Sequence, residues 1–298
     1  MTTGARGAAV VTGAARGLGL AIATELHRAG YRVLLTDADE SAVAAAAGPI
    51  GGWWARLDVR YEEACRSIAA RANERSGGLV VWVNNAGILA TGPSWTHDAG
   101  TRRKIMEVNA LGAMNGTLAA LELMRTAGRG HVVNVVSLAG LVAAPGETVY
   151  AASKHALLAF SIGTLAELRA AGETGVHISC VCPDGIWTPM IADKLDDAGA
   201  AVSFTGSLLT PERVAARVAR VIERPRPVVA VPRWRGVQVR FFDAFPRLSL
   251  RLAKVILATG RAGQRRQARR LARAAPPVAK APASVMKLGG RRAVDKEP

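Results

Sequence analysis

The alternation of short apolar runs with helix-length segments is the feature of this sequence that most constrains its fold. Each run is rich in β-branched residues, and most are separated by segments rich in Ala, Leu, Glu and Arg. Because parallel neighbouring strands need a long, usually helical connection, this alternation favours βαβ units and a parallel sheet buried on both faces. We therefore predict an α/β fold, a doubly wound parallel sheet of about seven strands with a helical C-terminal extension. The predicted strands are 7–12, 31–36, 53–57, 79–83, 131–136, 176–181 and 228–231.

Composition agrees with a folded domain and excludes several classes of protein. Of the 298 residues, 50% are hydrophobic and 21% are charged, which is ordinary for a globular chain. The longest uncharged stretch, residues 76–96, contains four glycines and a proline, so it does not offer the roughly 20 continuous apolar residues of a spanning helix. The N-terminus lacks a basic region followed by an apolar core and a cleavage site. We expect a cytoplasmic protein without a transmembrane helix.

The three cysteines and five histidines indicate neither a disulfide framework nor a metal centre. Cys180 and Cys182 lie two apart in a predicted strand and therefore face the same side, and together with Cys65 they are predicted to be buried thiols. The cysteines and histidines do not cluster at the spacing of zinc ligands. We predict no metal.

The net charge of +16 is concentrated in the last quarter of the chain. Residues 1–223 hold 20 basic and 20 acidic side chains, whereas residues 224–298 hold 19 basic and 3 acidic ones. Such asymmetry indicates a polyanionic partner, which is either an anionic membrane surface or a nucleic acid.

The residues after the last predicted strand differ in character from the sheet domain. Within 237–257 apolar side chains alternate with basic ones, and Pro246 suits the first turn of a helix that we predict to run to about Thr259 and to stop at Gly260. Residues 261–273 are densely basic, and the remainder has little to bury, so we expect disorder there. We divide the chain into a sheet domain (1–232), an amphipathic basic extension (233–273) and a disordered tail (274–298).

A glycine-rich turn follows the first predicted strand. It reads Thr12-Gly13-Ala14-Ala15-Arg16-Gly17-Leu18-Gly19 and leads into a helical pattern. Glycines allow a tight turn and a close approach to phosphates, and the helix N-terminus directs its free N–H groups and positive dipole end at them. An ordinary turn is the alternative. We predict that the pyrophosphate of a dinucleotide binds here, at Gly13, Arg16, Gly17, Leu18 and Gly19.

Asp37 ends the second predicted strand, 18 residues after Gly19. At this position a carboxylate accepts hydrogen bonds from the adenosine ribose hydroxyls and repels a 2′-phosphate, which favours NAD over NADP. Arg16 favours NADP, because a guanidinium near the ribose pairs with a phosphate. We give the carboxylate more weight and predict NAD, and a turn residue at the strand end is the alternative for Asp37.

Tyr150 and Lys154 are four residues apart in a predicted helix and therefore lie on one face. A nearby ammonium favours the phenolate, and so lowers the pKa of a phenol from about 10 toward the working range of a general acid or base. A Tyr and a Lys at this spacing also occur as surface residues, so the pair gains meaning only from the other motifs.

Those motifs together resemble the short-chain dehydrogenases/reductases, a family of Rossmann-type oxidoreductases. The resemblance covers roughly residues 6–232 and includes a core-type interval of 13 residues between Ser137 and Tyr150. It implies a dehydrogenase or reductase that uses NAD(P) and acts on CH–OH groups. The motifs that carry it are Thr12–Gly19, Asp58-Val59, Asn84-Asn85-Ala86-Gly87, Asn109, Ser137, Tyr150 with Lys154, and Pro183 to Thr188.

The resemblance implies a role for four catalytic residues. Tyr150 exchanges a proton with the substrate oxygen, and Lys154 lowers the pKa of Tyr150 and holds the nicotinamide ribose. Ser137 donates a hydrogen bond to the substrate oxygen. Asn109 holds a water that links Lys154 to solvent, while hydride transfer belongs to the nicotinamide.

The resemblance also implies further cofactor contacts. Asp58 and Val59 contact the adenine, and Asn85, Ala86 and Gly87 pack beside the cofactor. Thr188 contacts the carboxamide, and Pro183 and Gly185 flank that site. The chain departs from the family at Asp184, where a glycine usually follows the proline, and a carboxylate there would affect the backbone of the loop or the charge of the pocket.

The predicted substrate pocket is apolar. Residues 138–142 and the side chains of Ile186, Trp187, Met190 and Ile191 suit a lipophilic alcohol or ketone, such as a hydroxysteroid, better than a sugar. The alternative is that these residues belong to the core.

Three predictions concern partners. Helices near 99–127 and 150–171 are typical of the family's interface, and Gly112 and Gly116 would allow close helix approach, so we expect a homodimer or homotetramer. Residues 237–273 favour peripheral binding to the inner face of a membrane, with packing on the protein itself as the alternative and nucleic acid less favoured. The competing functions are an NADP-dependent ketoreductase and a non-catalytic, membrane-associated nucleotide sensor.

Overall fold

A computed structural model describes residues 6–274, and its centre is a seven-stranded parallel sheet. The strand order is β3-β2-β1-β4-β5-β6-β7, and every neighbouring pair is parallel. The predicted α/β architecture is therefore confirmed, and all seven predicted runs form strands. Their bounds are Ala8–Thr12 (β1), Arg32–Asp37 (β2), Trp53–Arg56 (β3), Leu79–Asn84 (β4), Gly130–Val135 (β5), Val176–Pro183 (β6) and Val228–Val231 (β7).

Helices cover both faces of the sheet. One layer packs α1, α2 and α8 on residues such as Val11 and Val33, and the other packs α3, α5 and α6 on residues such as Val10 and Leu34. Successive strand residues point to opposite faces, so both faces need apolar side chains, and β1 is buried along its whole length. The bounds are Gly17–Arg28 (α1), Glu40–Ala47 (α2), Glu62–Arg75 (α3), Ala99–Met106 (α4), Gly112–Thr126 (α5), Thr148–Ala170 (α6), Pro189–Ala192 (α7), Pro211–Glu223 (α8), Arg233–Ala244 (α9) and Pro246–Ala274 (α10).

The strand order reverses beside β1, and this reversal places the site. The chain proceeds from β1 outward to β2 and β3 and then returns to β4 on the other side of β1. Connections from neighbouring strands leave in opposite directions there, which opens a crevice at the carboxyl ends of the strands. The glycine-rich turn after β1, Asp37 at the end of β2 and Asn85 after β4 all lie at this edge.

The C-terminal helix is longer than predicted. α10 runs from Pro246 to Ala274, so the prediction of a stop at Gly260 is wrong. Gly260 is instead needed for close packing, because a Cβ there would lie 2.0 Å from the carbonyl oxygen of Ala201. The glycine lets α10 approach the segment after β6. The predicted disordered tail, 274–298, lies outside the described residues except for Ala274.

Gly112 and Gly116 face the interior of the same chain. A Cβ on Gly112 would lie 2.5 Å from Cγ2 of Val59, and one on Gly116 would lie 2.3 Å from Oδ1 of Asn84. These glycines allow α5 to pack on its own sheet, so they do not support the predicted contact between subunits. The three cysteines are buried as predicted.

Candidate active site

A single cavity of about 1180 Å³ lies at the carboxyl edge of the sheet. It exceeds the roughly 300–1,000 Å³ of an ordinary small-molecule pocket, so it has room for a dinucleotide beside a second molecule. Ser137 and all of the predicted cofactor residues line it. The cofactor residues are Gly13, Arg16, Gly17, Leu18, Gly19, Asp37, Asp58, Val59, Asn85, Ala86, Gly87, Tyr150, Lys154, Pro183, Gly185 and Thr188.

The glycine-rich turn has the shape needed to hold a pyrophosphate. Gly13 and Gly17 adopt positive φ angles of 63° and 57°, which favour glycine. A Cβ on Gly19 would lie 2.1 Å from the carbonyl oxygen of Gly13, so only glycine fits there. α1 begins at Gly17 without a side-chain cap or an acidic residue in its first turn. Its N–H groups and positive dipole end are therefore available to an anion.

Asn85 and Thr12 fix this turn against the strand beside it. The Asn85 side-chain amide donates to the carbonyl oxygens of Thr12 and Gly13, each at 3.0 Å. The Thr12 hydroxyl accepts hydrogen bonds from the backbone N–H groups of Asn85 and Ala86, each at 3.0 Å. Asn85 thus holds the turn in place in addition to lining the cavity.

The carboxylate of Asp37 lies over the turn. One oxygen accepts from the Ala15 N–H and the other from the Asp39 N–H, each at 3.2 Å. Arg16 is exposed and its charge helps to lower the pKa of Asp39, after the larger effects of hydrogen bonds to Ala42 and Ser41. The carboxylate of Asp39 therefore lies near the guanidinium of Arg16 beside the glycine-rich turn.

Asp58 is held by a neighbouring arginine. Arg60 donates to both of its carboxylate oxygens, the shortest contact being 2.6 Å from Nη2 to Oδ2. This hydrogen bonding lowers the pKa of Asp58 below its usual range. The side chain keeps its position at the rim of the cavity, where the family resemblance puts the adenine.

Ser137, Tyr150 and Lys154 meet in the middle of the cavity. Lys154 Nζ donates to the Val135 carbonyl oxygen at 2.9 Å and lies 5.7 Å from the centre of the Tyr150 ring. Burial lowers the pKa of Lys154 to about 8. Burial, and secondly the charge of Glu147, raise the pKa of Tyr150 above its usual value, while a hydrogen bond with Ser137 opposes this. In the chain alone, Tyr150 thus does not show the lowered pKa that the resemblance implies, because burial raises it.

Asn109 lies behind the cavity wall. It sits in a wider, π-helical turn between α4 and α5 and is completely buried. Its side chain accepts from the Ile88 N–H at 2.8 Å and donates to the Ile88 carbonyl oxygen at 2.9 Å and to Ser153 Oγ at 3.1 Å. These contacts tie the loop segment after Gly87 to α6. The role of Asn109 in holding a water stays a prediction.

Asp184, the departure from the family pattern, has a partner in the C-terminal extension. Arg235 Nε donates to Asp184 Oδ2 at 2.7 Å, and the two side chains are only 13% and 7% exposed. Arg235 also donates to Thr205 and Gln238, at 2.9 and 2.6 Å. The ion pair fastens the end of β6 to α9.

Glu147 is a cavity residue that motif reasoning missed. Its carboxyl accepts from Ser203 Oγ at 2.6 Å and is only 3% exposed. Burial raises its pKa to about 7. Glu147 lies one helical turn before Tyr150. Nothing in the sequence before the Tyr150/Lys154 motif indicated that this carboxyl is buried. Arg235 was missed because its partner is 51 residues away in the chain.

The remainder of the cavity is mostly apolar. Of the predicted pocket residues, Leu138, Ala139, Val142, Ile186, Met190 and Ile191 line it. Gly140, Leu141 and Trp187 do not, since Leu141 packs in the core and a Cβ on Gly140 would meet the Lys154 backbone. The structure adds side chains from the C-terminal helices, which are Val239, Phe242, Leu250, Leu252, Val255 and Ile256.

Fold and site together define a dinucleotide-binding oxidoreductase of the Rossmann type. The profile of the short chain dehydrogenase family matches residues 7–199. The sex determination protein tasselseed-2 of Zea mays is 38% identical over 204 residues, which are 64% of this chain and 60% of that protein. The 1-deoxy-11-beta-hydroxypentalenate dehydrogenase of Streptomyces exfoliatus is 34% identical over 65% of this chain and 72% of its own.

A solved structure agrees with these relatives. A short chain dehydrogenase/reductase from Burkholderia phymatum, in complex with NAD, superposes with a TM-score of 0.74 and 26% identity, over 84% of this chain and 97% of its own. This chain belongs to the short-chain dehydrogenase/reductase family. It is an NAD(P)-dependent oxidoreductase that acts on CH–OH groups.

Proposed function

We propose that this enzyme transfers a hydride between NAD and a lipophilic secondary alcohol or its ketone, with a steroid-like or other lipid-like skeleton. The observation that carries the proposal is the division of the cavity into two parts. Polar groups of Ser137, Tyr150 and Lys154 lie in its middle, and apolar side chains of the β6–α8 segment (residues 184–210), α9 and α10 form its outer wall. An apolar wall with a few converging polar groups suits a lipophilic molecule with one reactive oxygen.

The chain's own residues would move the proton of this reaction. The nicotinamide supplies the hydride chemistry. Tyr150 donates its phenolic proton to the substrate oxygen during reduction and accepts it during oxidation, and Ser137 donates a hydrogen bond to the same oxygen. Burial raises the pKa of this phenol, so it carries its proton at neutral pH and can donate it during reduction. The buried ammonium of Lys154 stabilises the phenolate that follows.

Asp37 supports NAD as the preferred cofactor. Its carboxylate stands beside the glycine-rich turn, and a 2′-phosphate there would meet a like charge. An NADP-dependent ketoreductase, favoured by Arg16, is the alternative. We expect NADH to bind more tightly than NADPH in a fluorescence titration, and Asp37→Ala to reduce this preference. A wild-type preference for NADPH that Asp37→Ala leaves unchanged would contradict the assignment.

Tyr150→Phe tests the catalytic role. We expect a loss of turnover by a factor of about 100 or more on a panel of steroid and fatty alcohols, because the acid/base is removed, with NADH affinity retained. Tyr61→Phe is the matched control, because Tyr61 is 61% exposed and lies outside the cavity. Retained turnover in Tyr150→Phe would contradict the mechanism. A wild-type protein that binds NADH without turning over any alcohol would favour the alternative of a non-catalytic nucleotide sensor.

We also propose self-association through α5 and α6. Leu111, in the turn just before α5, Leu118 on α5 and Ile162 on α6 are exposed apolar side chains in the region that the family resemblance implicates. Light scattering of the purified protein measures the assembly, and a monomer at micromolar concentration would rule it out. A homodimer and a homotetramer are both compatible with this surface.

Within residues 6–274, no helix is long and apolar enough to cross a membrane. We propose that residues 237–273 of the C-terminal extension bind peripherally to the inner face of a membrane. Cytoplasmic location itself stays a prediction.

A further inference from the structure

α10 carries a straight stripe of positive charge on its outer face. Six exposed basic side chains recur at steps of three, four and seven residues, which places them on one side of the helix. From the first to the last they span about 33 Å at 1.5 Å per residue. The helix contains no acidic residue. The stripe consists of Arg247, Arg251, Lys254, Arg261, Arg265 and Arg269.

The inner face of α10 fixes the direction in which this stripe points. A Cβ on Gly263 would lie 2.3 Å from the Phe204 carbonyl oxygen, so the helix backbone rests directly on the β6–α8 segment. Gln264, only 5% exposed, donates to the carbonyl oxygens of Lys194 and Asp197 at 3.1 and 2.8 Å. Packing on the protein itself, which was the alternative for this extension, therefore applies to one side of the helix. The inner side packs on the enzyme, and the outer side faces solvent.

In the part of the chain that the structure describes, the stripe has no acidic partner. The ion pairs found within residues 6–274 involve none of its six side chains. Residues 233–273 hold 12 basic side chains and a single acidic one, Asp243. Cations held together in this way favour a partner with many negative charges.

Exposed apolar side chains lie on α9, the helix that precedes the stripe in the chain. Trp234, Val237 and Phe241 recur at three and four residues along α9 and are 62%, 73% and 52% exposed. Phe245, at the junction of α9 and α10, is 53% exposed and its ring centre lies 4.9 Å from that of Phe241. Leaving aromatic rings in water is unfavourable, so a partner that only supplies charge would leave this part of the surface unused.

We propose that the outer face of α9 and α10 docks on an anionic lipid bilayer. Lipid phosphates would pair with the basic stripe, while Trp234, Phe241 and Phe245 would enter the interface at the level of the headgroups. A nucleic acid would satisfy the charge but not the aromatic side chains. The inference rests on the peripheral contact proposed above, and it names the surface and the lipid chemistry. It does not depend on the identity of the alcohol.

The first measurement is flotation of the full-length, NAD-bound enzyme with lipid vesicles. We expect binding to vesicles of phosphatidylcholine with phosphatidylglycerol, little binding to pure phosphatidylcholine, and weaker binding at higher ionic strength. At roughly a factor of five for each basic side chain, the triple variant Arg251→Gln, Arg261→Gln, Arg265→Gln should bind about 100-fold more weakly. Trp234→Ser with Phe241→Ser should also weaken binding but leave its salt dependence unchanged.

A matched control removes the same charge elsewhere. Arg28, Arg71 and Arg129 are exposed on the sheet domain, and their replacement by Gln should leave vesicle binding within about two-fold of the wild type, because they lie outside the docking face. Equal losses in both triple variants would overturn the proposal, since net charge alone would then explain binding.

Two other results would overturn it as well. One is tighter binding to a short DNA duplex than to anionic vesicles at the same salt concentration. The other is a combination of two observations: the wild type does not bind vesicles, and the Trp234→Ser, Phe241→Ser variant changes its oligomeric state. That combination would assign the apolar face to contact with a second copy of the chain. Turnover measured without lipid separates these outcomes from a failure of the proposed reaction, because none of the substituted side chains lines the middle of the cavity.

Discussion

The ion pair between Asp184 and Arg235 joins the sheet domain to the C-terminal extension, and replacing Arg235 by Gln should weaken that connection. The substitution removes the Nε donor 2.7 Å from Asp184 Oδ2 and leaves a carboxylate that is only 7% exposed. The other oxygen of Asp184 keeps its hydrogen bond from the Gly185 N–H at 3.0 Å. Arg235 also holds Thr205, so the β6–α8 segment loses a contact at the same time.

The expected loss follows from the burial of the pair. Removing one partner of a buried ion pair costs about 3–5 kcal/mol of the free energy of unfolding. The surviving hydrogen bond from Gly185 favours the lower end, about 3 kcal/mol, which corresponds to a fall of about 6 °C in Tm for a domain of this size. Since α9 lines the cavity, KM for the substrate should rise while NADH affinity changes little.

A double-mutant cycle measures the interaction itself. Asp184→Asn and Arg235→Gln are made singly and together, and thermal unfolding is followed by circular dichroism. The double variant should be no less stable than the worse single one, because it leaves no unpaired charge. Arg240→Gln, an exposed change on the same helix, is the control and should stay within about 0.5 kcal/mol. Single losses that add within about 0.5 kcal/mol would refute the coupling.

Three further predictions concern individual side chains. Burial raises the pKa of Glu147 to about 7, so the folded state binds an extra proton. The free energy of unfolding should therefore fall by up to about 3 kcal/mol as pH rises from about 4.5 to above 7. Glu147→Gln should remove this pH dependence in thermal unfolding, and an unchanged dependence would contradict the assignment. Gly260→Ala should lower Tm and raise KM, because the new Cβ would lie 2.0 Å from the Ala201 carbonyl oxygen. The control Gly163→Ala, with no atom within 4 Å of its Cβ, should instead stabilise the protein by about 0.5–1 kcal/mol. Equal effects of the two substitutions would contradict the close contact at Gly260. Gly19→Ala should abolish NADH binding measured by fluorescence, since the methyl group displaces the glycine-rich turn, and normal affinity would show that the turn does not hold the cofactor.

The strands and the cofactor motifs were predictable because their signals are local. A run such as residues 228–231 is short and β-branched, and that alone favours an extended backbone. Gly13 and Gly17 mark a turn because positive φ angles exclude most other residues. The order of the strands was not predicted, because it depends on pairing between segments that are distant in the chain.

Glycine by itself did not tell a helix end from a close contact. Gly260 was predicted to end a helix, and Gly112 and Gly116 were predicted to face another subunit, yet all three allow the backbone to approach another part of the same chain. The absence of a side chain allows a helix to end and also allows two backbones to approach closely. Only the position of the neighbouring element distinguishes these two roles. The same applies to Leu141, which is apolar as predicted but lies in the core.

The sequence alone determined the strands, the dinucleotide turn and the shared helix face of Tyr150 and Lys154, because backbone propensity and helical spacing act over a few residues. The grouping of Ser137 with this pair came from the family resemblance. Tertiary structure decided what depends on packing between distant segments. It paired Asp184 with Arg235, buried Glu147 beside Ser203, and placed side chains of α10 in the wall of the cavity. These contacts join residues tens of positions apart, so their energies depend on how whole elements pack, which no local pattern records.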